Sequence, residues 1–353
     1  LSDLPERARG KTNDAIWNYI QGGAGSESTV RGNEAAFDRW LVQPRALVDV
    51  GRIRLDSTFL GQAVGAPFFL APTAYQGLVH PDGERATARA AASHHALAVF
   101  STLSSRSMEA IARCEPMGPR WFQLYLQPDI ESSRKLVKRA EAAGFGAIVV
   151  TVDTVVLGNR DRQIRSGFAM ESSVLVGNGA DILPPHRVLE APGSELVLRP
   201  DCATTWEILN DLRKTTKLPL IVKGVLSAHD ALQAKTHGAA AVIVSNHGGR
   251  QLDRAPAALS VLPEVVAAVG KEVEVYVDGG FRRGGDVLIA LALGARGVGV
   301  GRPALWALAA GGETGVARLI TLLKIELATA MALCGRRDMG EIDATALRPA
   351  ASA

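Results

Sequence analysis

At 353 residues and 47% apolar content, the chain can bury a large core, and its length fits either two ordinary domains or one barrel-sized domain. Nearly balanced basic and acidic side chains leave a formal charge of +3 with no block of like charges, which argues against nucleic acid or an anionic membrane as partner and toward small molecules. The three cysteines, Cys114, Cys202 and Cys334, are odd in number and lack CxxC spacing, which argues against a disulfide framework and against a zinc site.

In chain order, the first stretch, LSDLPERARG, lacks the apolar core of a signal peptide. The most apolar later stretches are broken by charges such as Arg296, so a cytoplasmic protein without a membrane span is expected. Residues 1–60 read as a helical cap, with Trp17 and Ile20 placed to pack. From about residue 63, eight short β-branched runs alternate with helix-patterned segments: AVGAPFFLAP, ALAVFST, RWFQLYL, AIVVTVD, LPLIVKG, AAVIVSN, VEVYVDGG and GVGVGRP. Continuous apolar runs of this kind mark strands covered on both faces, as in parallel sheets. Between them, Asp129 opens a helix that Gly144 can close, and Thr204-Thr-Trp-Glu207 and Ser227-Ala-His-Asp230 have the capping-box form. Residues 166–203, after the fourth run, show little periodicity and read as a long loop or lid.

Eight β-to-α units in series predict a single α/β domain, a (β/α)8 TIM barrel over 61–312 with an N-terminal helical segment (1–60) and a C-terminal helix and tail (313–353). A doubly wound open sheet is the weaker alternative.

In such a barrel the polar residues at the carboxyl ends of the strands share one mouth. They are Pro72, Thr73 and Ala74; Ser101, Thr102 and Ser104; Gln123 and Tyr125; Thr151 and Asp153; Lys223; Ser245, Asn246 and His247; Asp278, Gly279 and Gly280; and Gly301 and Arg302. Singly, each has a plain explanation as a turn former or rim group. Together, a histidine, a lysine, aspartates and several arginines at one end repel and desolvate one another unless a ligand or a paired charge compensates. DGGFRRGG and GVGVGR set glycine-opened amides beside Arg282, Arg283 and Arg302, and the loops after the last two strands of a barrel are its usual phosphate site. A phosphorylated cofactor or substrate is expected there.

The stretch SNHGGRQLD, residues 245–253, carries the chemistry. A neutral imidazole at His247 is suited to take a proton near pH 7, and the Arg250 guanidinium can hold a carboxylate in a fork, which describes a carboxylic acid deprotonated close to its carboxylate. Asp153 is placed to orient His247 and stabilise its protonated form.

SNHGGRQLD resembles the active-site signature of the FMN-dependent α-hydroxy acid oxidases and dehydrogenases, a family of (β/α)8 flavoproteins. APTAYQGLVHPDGE, STLSS, WFQLY, TVDT, IVKGV, DGGFRRGGD and GVGRP look like family segments in the family's order, over nearly the whole chain. The resemblance implies FMN as cofactor, His247 as the base, and Arg250 with Arg160 of LGNRDR as the carboxylate grip. Tyr19 of NYIQGGAG and Tyr125 resemble the two tyrosines that hydrogen-bond the substrate, and Asp153 matches the acid that supports the histidine. Pro72, Thr73, Ala74, Ser104, Gln123, Thr151, Lys223 and Ser245 match flavin-contacting positions. Lys223 resembles the lysine at the N1 and O2 edge, where a cation stabilises the charge of reduced flavin. Asp278, Gly279, Gly280, Arg282, Gly301 and Arg302 match the ribityl and phosphate site.

Where many relatives read TVDTPRLG, this chain has TVDTVVLG, which sets Val155 and Val156 beside the expected pocket, with Leu157, Tyr75 and Phe168 as further apolar walls. Ala74 stands as in many oxidases of the family. The overall look, including RGNEAAFDRW and LVQPRALVDV, is similar to bacterial mandelate and 4-hydroxymandelate oxidases. The implied reaction is oxidation of (S)-mandelate or 4-hydroxymandelate to the 2-oxo acid, with oxygen reduced to hydrogen peroxide, by a hydride or a carbanion route, in a homotetramer. The alternatives are a quinone or cytochrome acceptor, a decarboxylating monooxygenase, and lactate or glycolate as substrate. A catalytically silent ligand-binding barrel has no need of His247, Arg250, Tyr125 and Asp153 at one mouth.

Overall fold

The computed structural model describes residues 1–168, 176–179, 182, 189–190, 196–197 and 205–351. Eight parallel strands close into a barrel: β1 (Phe68–Leu70), β2 (Leu97–Ser101), β3 (Arg120–Leu124), β4 (Ile148–Thr151), β5 (Leu220–Val225), β6 (Ala241–Val244), β7 (Glu274–Asp278) and β8 (Gly297–Val300). Each pairs with the next, and β8 closes on β1 through Val298–Phe68, Gly299–Phe69 and Val300–Leu70. All eight apolar runs of the sequence form these strands, and the closed ring rules out the open sheet.

The outer ring consists of α1 (Glu84–Ser93), α2 (Met108–Cys114), α3 (Ile130–Ala142), α4 (Glu207–Thr215), α5 (Ala228–Thr236), α6 (Ala258–Val269), α7 (Gly284–Ala292) and α8 (Arg302–Leu333), which breaks at Gly311 and Gly312, where the backbone leaves the helical region. Asp129 caps α3 by accepting from Ser132 N at 2.7 Å, and Gly144, at φ +77°, takes the left-handed turn that ends it. Ser227 likewise accepts from Asp230 N at 3.1 Å. The box assigned to Thr204 falls outside the described residues, and α4 starts only at Glu207, with no side chain capping it.

Inside the barrel the lower half is filled rather than hollow. Phe69, Trp121 and Tyr276 pack with ring centroids 5.5–6.2 Å apart, and Phe59 joins them from below, against the first residue of β8. Buried aromatics of this size dominate a core's apolar area, so this end carries stability and leaves the carboxyl end for chemistry. Phe59 comes from a hairpin, Ser57–Phe59 with Gln62–Val64, and Trp40–Val42 pairs with Leu347–Pro349. The N-terminal segment is therefore not helical throughout: its helices are Leu4–Arg9, Asp14–Gln21 and Ser28–Ala35. Plugging the barrel floor requires an extended strand that can deliver Phe59 inward while its neighbours face out.

Ile20 is buried, and Trp17 packs beside it against Leu305 and Trp306 of α8. Among the described residues no helix is long and apolar enough to cross a membrane, and no cluster of three or more His, Cys, Asp or Glu could hold a metal ion.

Candidate active site

The turn after β6 is built by side-chain oxygens. Ser245 Oγ accepts from His247 N at 3.0 Å, and Asn246 Oδ1 accepts from Gly249 N at 3.1 Å. His247, Gly248 and Gly249 then follow one another in the left-handed region, at φ +58°, +63° and +77°. Such a backbone is uncommon for histidine and persists only where the surroundings over-determine it. Here they do. Asn246 and Asn33 exchange amide hydrogen bonds at 2.7 and 2.8 Å, and Asp253 accepts from Ser26 N, Ser26 Oγ, Ser28 Oγ and Thr29 N at 2.7–3.1 Å. The helix Ser28–Ala35 is thus fastened directly onto the loop that carries the histidine.

His247 Nδ1 lies 2.8 Å from Asp153 Oδ1, with Thr154 Oγ1 at 3.2 Å from the same nitrogen and 2.9 Å from the same oxygen. Nε2 faces Tyr125 OH at 3.3 Å. Burial lowers the pKa of His247, helped by the positive charges of Lys223 and Arg160, while Asp153 opposes the shift. The imidazole is therefore neutral near pH 7. Burial also works against ionisation of Asp153, but His247 and Lys223 outweigh it and bring its carboxyl down to about 2. A neutral base backed by a fixed carboxylate results, with Nδ1 committed to Asp153 and Nε2 turned toward the cavity.

Lys223, from β5, donates to Ser245 Oγ at 3.0 Å and lies 3.4 Å from Asp278 Oδ2. Burial penalises the ammonium, yet Asp278 and Asp153 hold its pKa above the ordinary lysine value. One carboxylate oxygen on each aspartate, Asp278 Oδ1 and Asp153 Oδ2, is buried without a partner.

Two arginines converge on the C-terminal carbonyls of the helix Asp14–Gln21, where the helix dipole is negative. Arg250 Nη1 donates to Tyr19 O at 2.7 Å and Gly22 O at 2.8 Å, and Arg302 donates from Nε to Ile20 O at 3.1 Å and from Nη1 to Gly248 O at 2.9 Å. This contact carries Tyr19 into the site, with the Arg250 guanidinium 5.1 Å from its ring. Burial, together with repulsion from Arg250 and Arg282, pulls the pKa of Arg302 down to about 9. A buried cation whose partners among the described residues are all carbonyls is costly unless an anion arrives. Arg282 differs, being paired with Glu34 at 2.6 Å. Arg283, expected beside it, instead pairs with Glu326 at 2.9 Å and does not line the cavity, because it caps α7 on the outer side.

These groups surround a cavity of about 360 Å³. Tyr19, Pro72, Thr73, Ala74, Tyr125, Arg160, Lys223, His247, Arg250, Asp278, Gly279, Gly280, Arg282, Gly301 and Arg302 all line it. Ser104, Gln123, Thr151, Asp153 and Ser245 stand behind that lining, buried or half-buried. Gln123 links two of the strands, accepting from Ser101 Oγ at 2.9 Å and donating to Thr151 Oγ1 at 3.0 Å. Arg160 donates to Arg250 O at 3.1 Å and Gln251 Oε1 at 3.0 Å, which sets it alongside the other cation.

Leu157, Tyr75 and Phe168 line the cavity, and Phe168 stacks on Tyr19 at 4.6 Å. Val155 and Val156 do not: Val155 is 45% exposed, because Gln251 Nε2 grips the carbonyls of Asp153 and Val156 and turns the side chain between them outward. Thr154 and Gln251 were not among the expected site residues. Gln251 at least carried a signal, as part of SNHGGRQLD, whereas a lone strand-end threonine does not separate from a turn former.

The FMN implied by the resemblance fits these residues. The orphaned Asp278 Oδ1 is a ready acceptor for a sugar-alcohol hydroxyl, the left-handed Gly279 and Gly280 open the backbone at the carboxyl end of β7, and Arg302 supplies a buried cation whose hydrogen bonds among the described residues go to backbone carbonyls. Lys223 stands ready for charge that develops on a reduced ring.

Comparison with known proteins agrees. The chain matches the FMN-dependent dehydrogenase family over residues 8–349. It is 44% identical over 360 residues to an L-lactate oxidase of Nostoc sp., covering 98% of this chain and 97% of that protein. It is 43% identical over 342 residues to 2-hydroxyacid oxidase 2 of Mus musculus, covering 97% and 96%. A mandelate oxidase mutant solved with (S)-mandelic acid superposes with a TM-score of 0.90 at 41% identity, covering 100% of this chain and 98% of that one.

Proposed function

The chain belongs to the FMN-dependent dehydrogenase family and is an FMN-dependent 2-hydroxy acid oxidoreductase, and from that premise we propose that its substrate is an aryl 2-hydroxy acid of the (S)-mandelate type, with oxygen as the electron acceptor. One observation carries the aryl assignment: part of the cavity wall is aromatic and apolar, made by Tyr19 stacked on Phe168 at 4.6 Å and by Tyr75, Leu103 and Leu157. An aromatic ring packs against such a wall in stacked or edge-on geometry, gaining contact that a methyl group does not.

In this proposal Arg250 and Arg160 hold the substrate carboxylate, and Tyr19 and Tyr125 hydrogen-bond its oxygens. His247 Nε2 takes the proton, because Nδ1 is held by Asp153. Asp153 then stabilises the imidazolium through a bond already in place before the proton moves. Asp278, Arg282 and Arg302, with the amides of Gly279, Gly280 and Gly301, would hold the ribityl phosphate tail of FMN, and Lys223 would set a cation beside its ring. When bound, FMN supplies the ring that accepts two electrons and passes them to oxygen, giving hydrogen peroxide. The same residues serve a hydride or a carbanion route.

The test is anaerobic addition of substrates to the yellow holoenzyme, followed by the bleaching of its flavin absorbance. Mandelate or 4-hydroxymandelate is expected to bleach it at a higher kcat/KM than lactate or glycolate; the reverse order refutes the aryl assignment. Peroxide measured per turnover in air is expected to be close to one, and a value near zero refutes oxygen as the acceptor.

A further inference from the structure

Tyr75 lines the cavity yet is only 8% exposed, and its backbone sits in the left-handed region at φ +55°. That conformation is uncommon for a bulky residue and is held from both sides. Tyr75 N donates to Leu103 O at 3.0 Å, and the next amide, Gln76 N, donates to Glu84 Oε1 at 3.1 Å. The same buried carboxyl oxygen takes Ser105 N at 2.8 Å, so the loops after β1 and β2 are tied together under the tyrosine. These bonds fix the backbone from which Tyr75 joins the cavity lining.

Its hydroxyl has no protein partner among the described residues, and Gln163 Oε1, on another cavity-lining residue, is also unpartnered. Burial and the nearby Tyr19 push the phenol up to about 12, so it stays neutral and can both donate and accept. Arg250, Arg160, Tyr19, Tyr125 and His247 already serve the carboxylate and hydroxyl common to every 2-hydroxy acid. Tyr75 is left for what differs between them, the side chain. A hydroxyl on a buried ring, with no protein partner among the described residues, is at a disadvantage against phenylalanine unless the ligand completes it.

We propose that Tyr75 is a specificity-determining residue whose hydroxyl hydrogen-bonds a polar substituent on the ring of the substrate, so that the site favours aryl 2-hydroxy acids bearing a ring hydroxyl over unsubstituted ones. This rests on the aryl reading of the cavity. The test is the ratio of kcat/KM for 4-hydroxymandelate to that for mandelate, from anaerobic flavin reduction in wild type and in Tyr75→Phe. The flavin absorbance per protein is read in both. Wild type is expected to favour the hydroxylated acid by about tenfold, the worth of one buried hydrogen bond, and Tyr75→Phe to bring the ratio to near one, chiefly by raising KM for the hydroxylated acid.

A wild-type ratio near one overturns the proposal without recourse to the variant. So does a Tyr75→Phe enzyme that lowers both values by the same factor, which would mark a merely structural role. Reduction by lactate and by neither aryl acid instead overturns the aryl reading and the role of Tyr75 together.

Discussion

Replacing Asp153 by asparagine removes one charge and little volume from beside the base. In the resting enzyme His247 is neutral, and the charge that loses a partner is that of Lys223, which keeps Asp278 3.4 Å away. Once the imidazole holds the substrate's proton, however, its positive charge stands in a buried site 2.8 Å from where the carboxylate oxygen was, beside the like charge of Lys223. Taking charge centres about 4 Å apart and an effective dielectric constant of about 20, the missing attraction is about 4 kcal/mol, or roughly a thousandfold in rate. Thr154, still within reach of both side chains, keeps the ring oriented and leaves electrostatics as the main loss. Stopped-flow measurement of flavin bleaching under anaerobic conditions reads the step directly. Bleaching by Asp153→Asn within tenfold of wild type would show that the carboxylate does not stabilise the imidazolium.

Because burial depresses the pKa of His247 from its ordinary 6.5 and the base works only when neutral, kcat/KM is expected to be flat at neutral pH and to fall on acidification, with its midpoint below 6.5. A midpoint above 7 contradicts the assignment. Arg302→Ala is expected to weaken FMN binding by about a hundredfold, as befits a buried charge pair losing a partner, and by more than it lowers apoprotein stability; titration of apoprotein with FMN and thermal melts separate the two. Gly280→Ala places a methyl 2.3 Å from Asn33 O at φ +87°, and is expected to lower stability by about 2 kcal/mol or more through undocking of the N-terminal segment. Gly285→Ala, in α7 with nothing within 4 Å of the added carbon, is expected to raise stability by about 0.5–1 kcal/mol in the same melts.

The barrel was legible because β-strands covered on both faces leave uninterrupted apolar runs such as AIVVTVD, and a parallel order demands the helices between them. Strand-end chemistry was legible for the same reason: once strand order is known, Lys223, His247 and Asp278 must share a rim. The hairpin carrying Phe59 was missed because its strands are three residues each, although the two-residue link Leu60-Gly61, at φ +48° and +78°, is the kind of turn that marks one. Tyr19 could not be placed from pattern alone. It sits on an amphipathic helix more than two hundred residues from Arg250, and it reaches the cavity only because Arg250 and Arg302 gather the carbonyls at that helix's end. The failure of Val155 and Val156 as pocket walls has a similar origin, since the grip of Gln251 on two backbone carbonyls decides which way that loop faces.

A single experiment bears most directly on His247 as the proton acceptor at a flavin site. His247→Ala, purified as holoenzyme and mixed anaerobically with a saturating aryl 2-hydroxy acid, is expected to carry FMN in wild-type amount and to remain yellow on the timescale over which wild type bleaches. Bleaching at a rate near that of wild type, with the cofactor in place, would contradict the assignment outright.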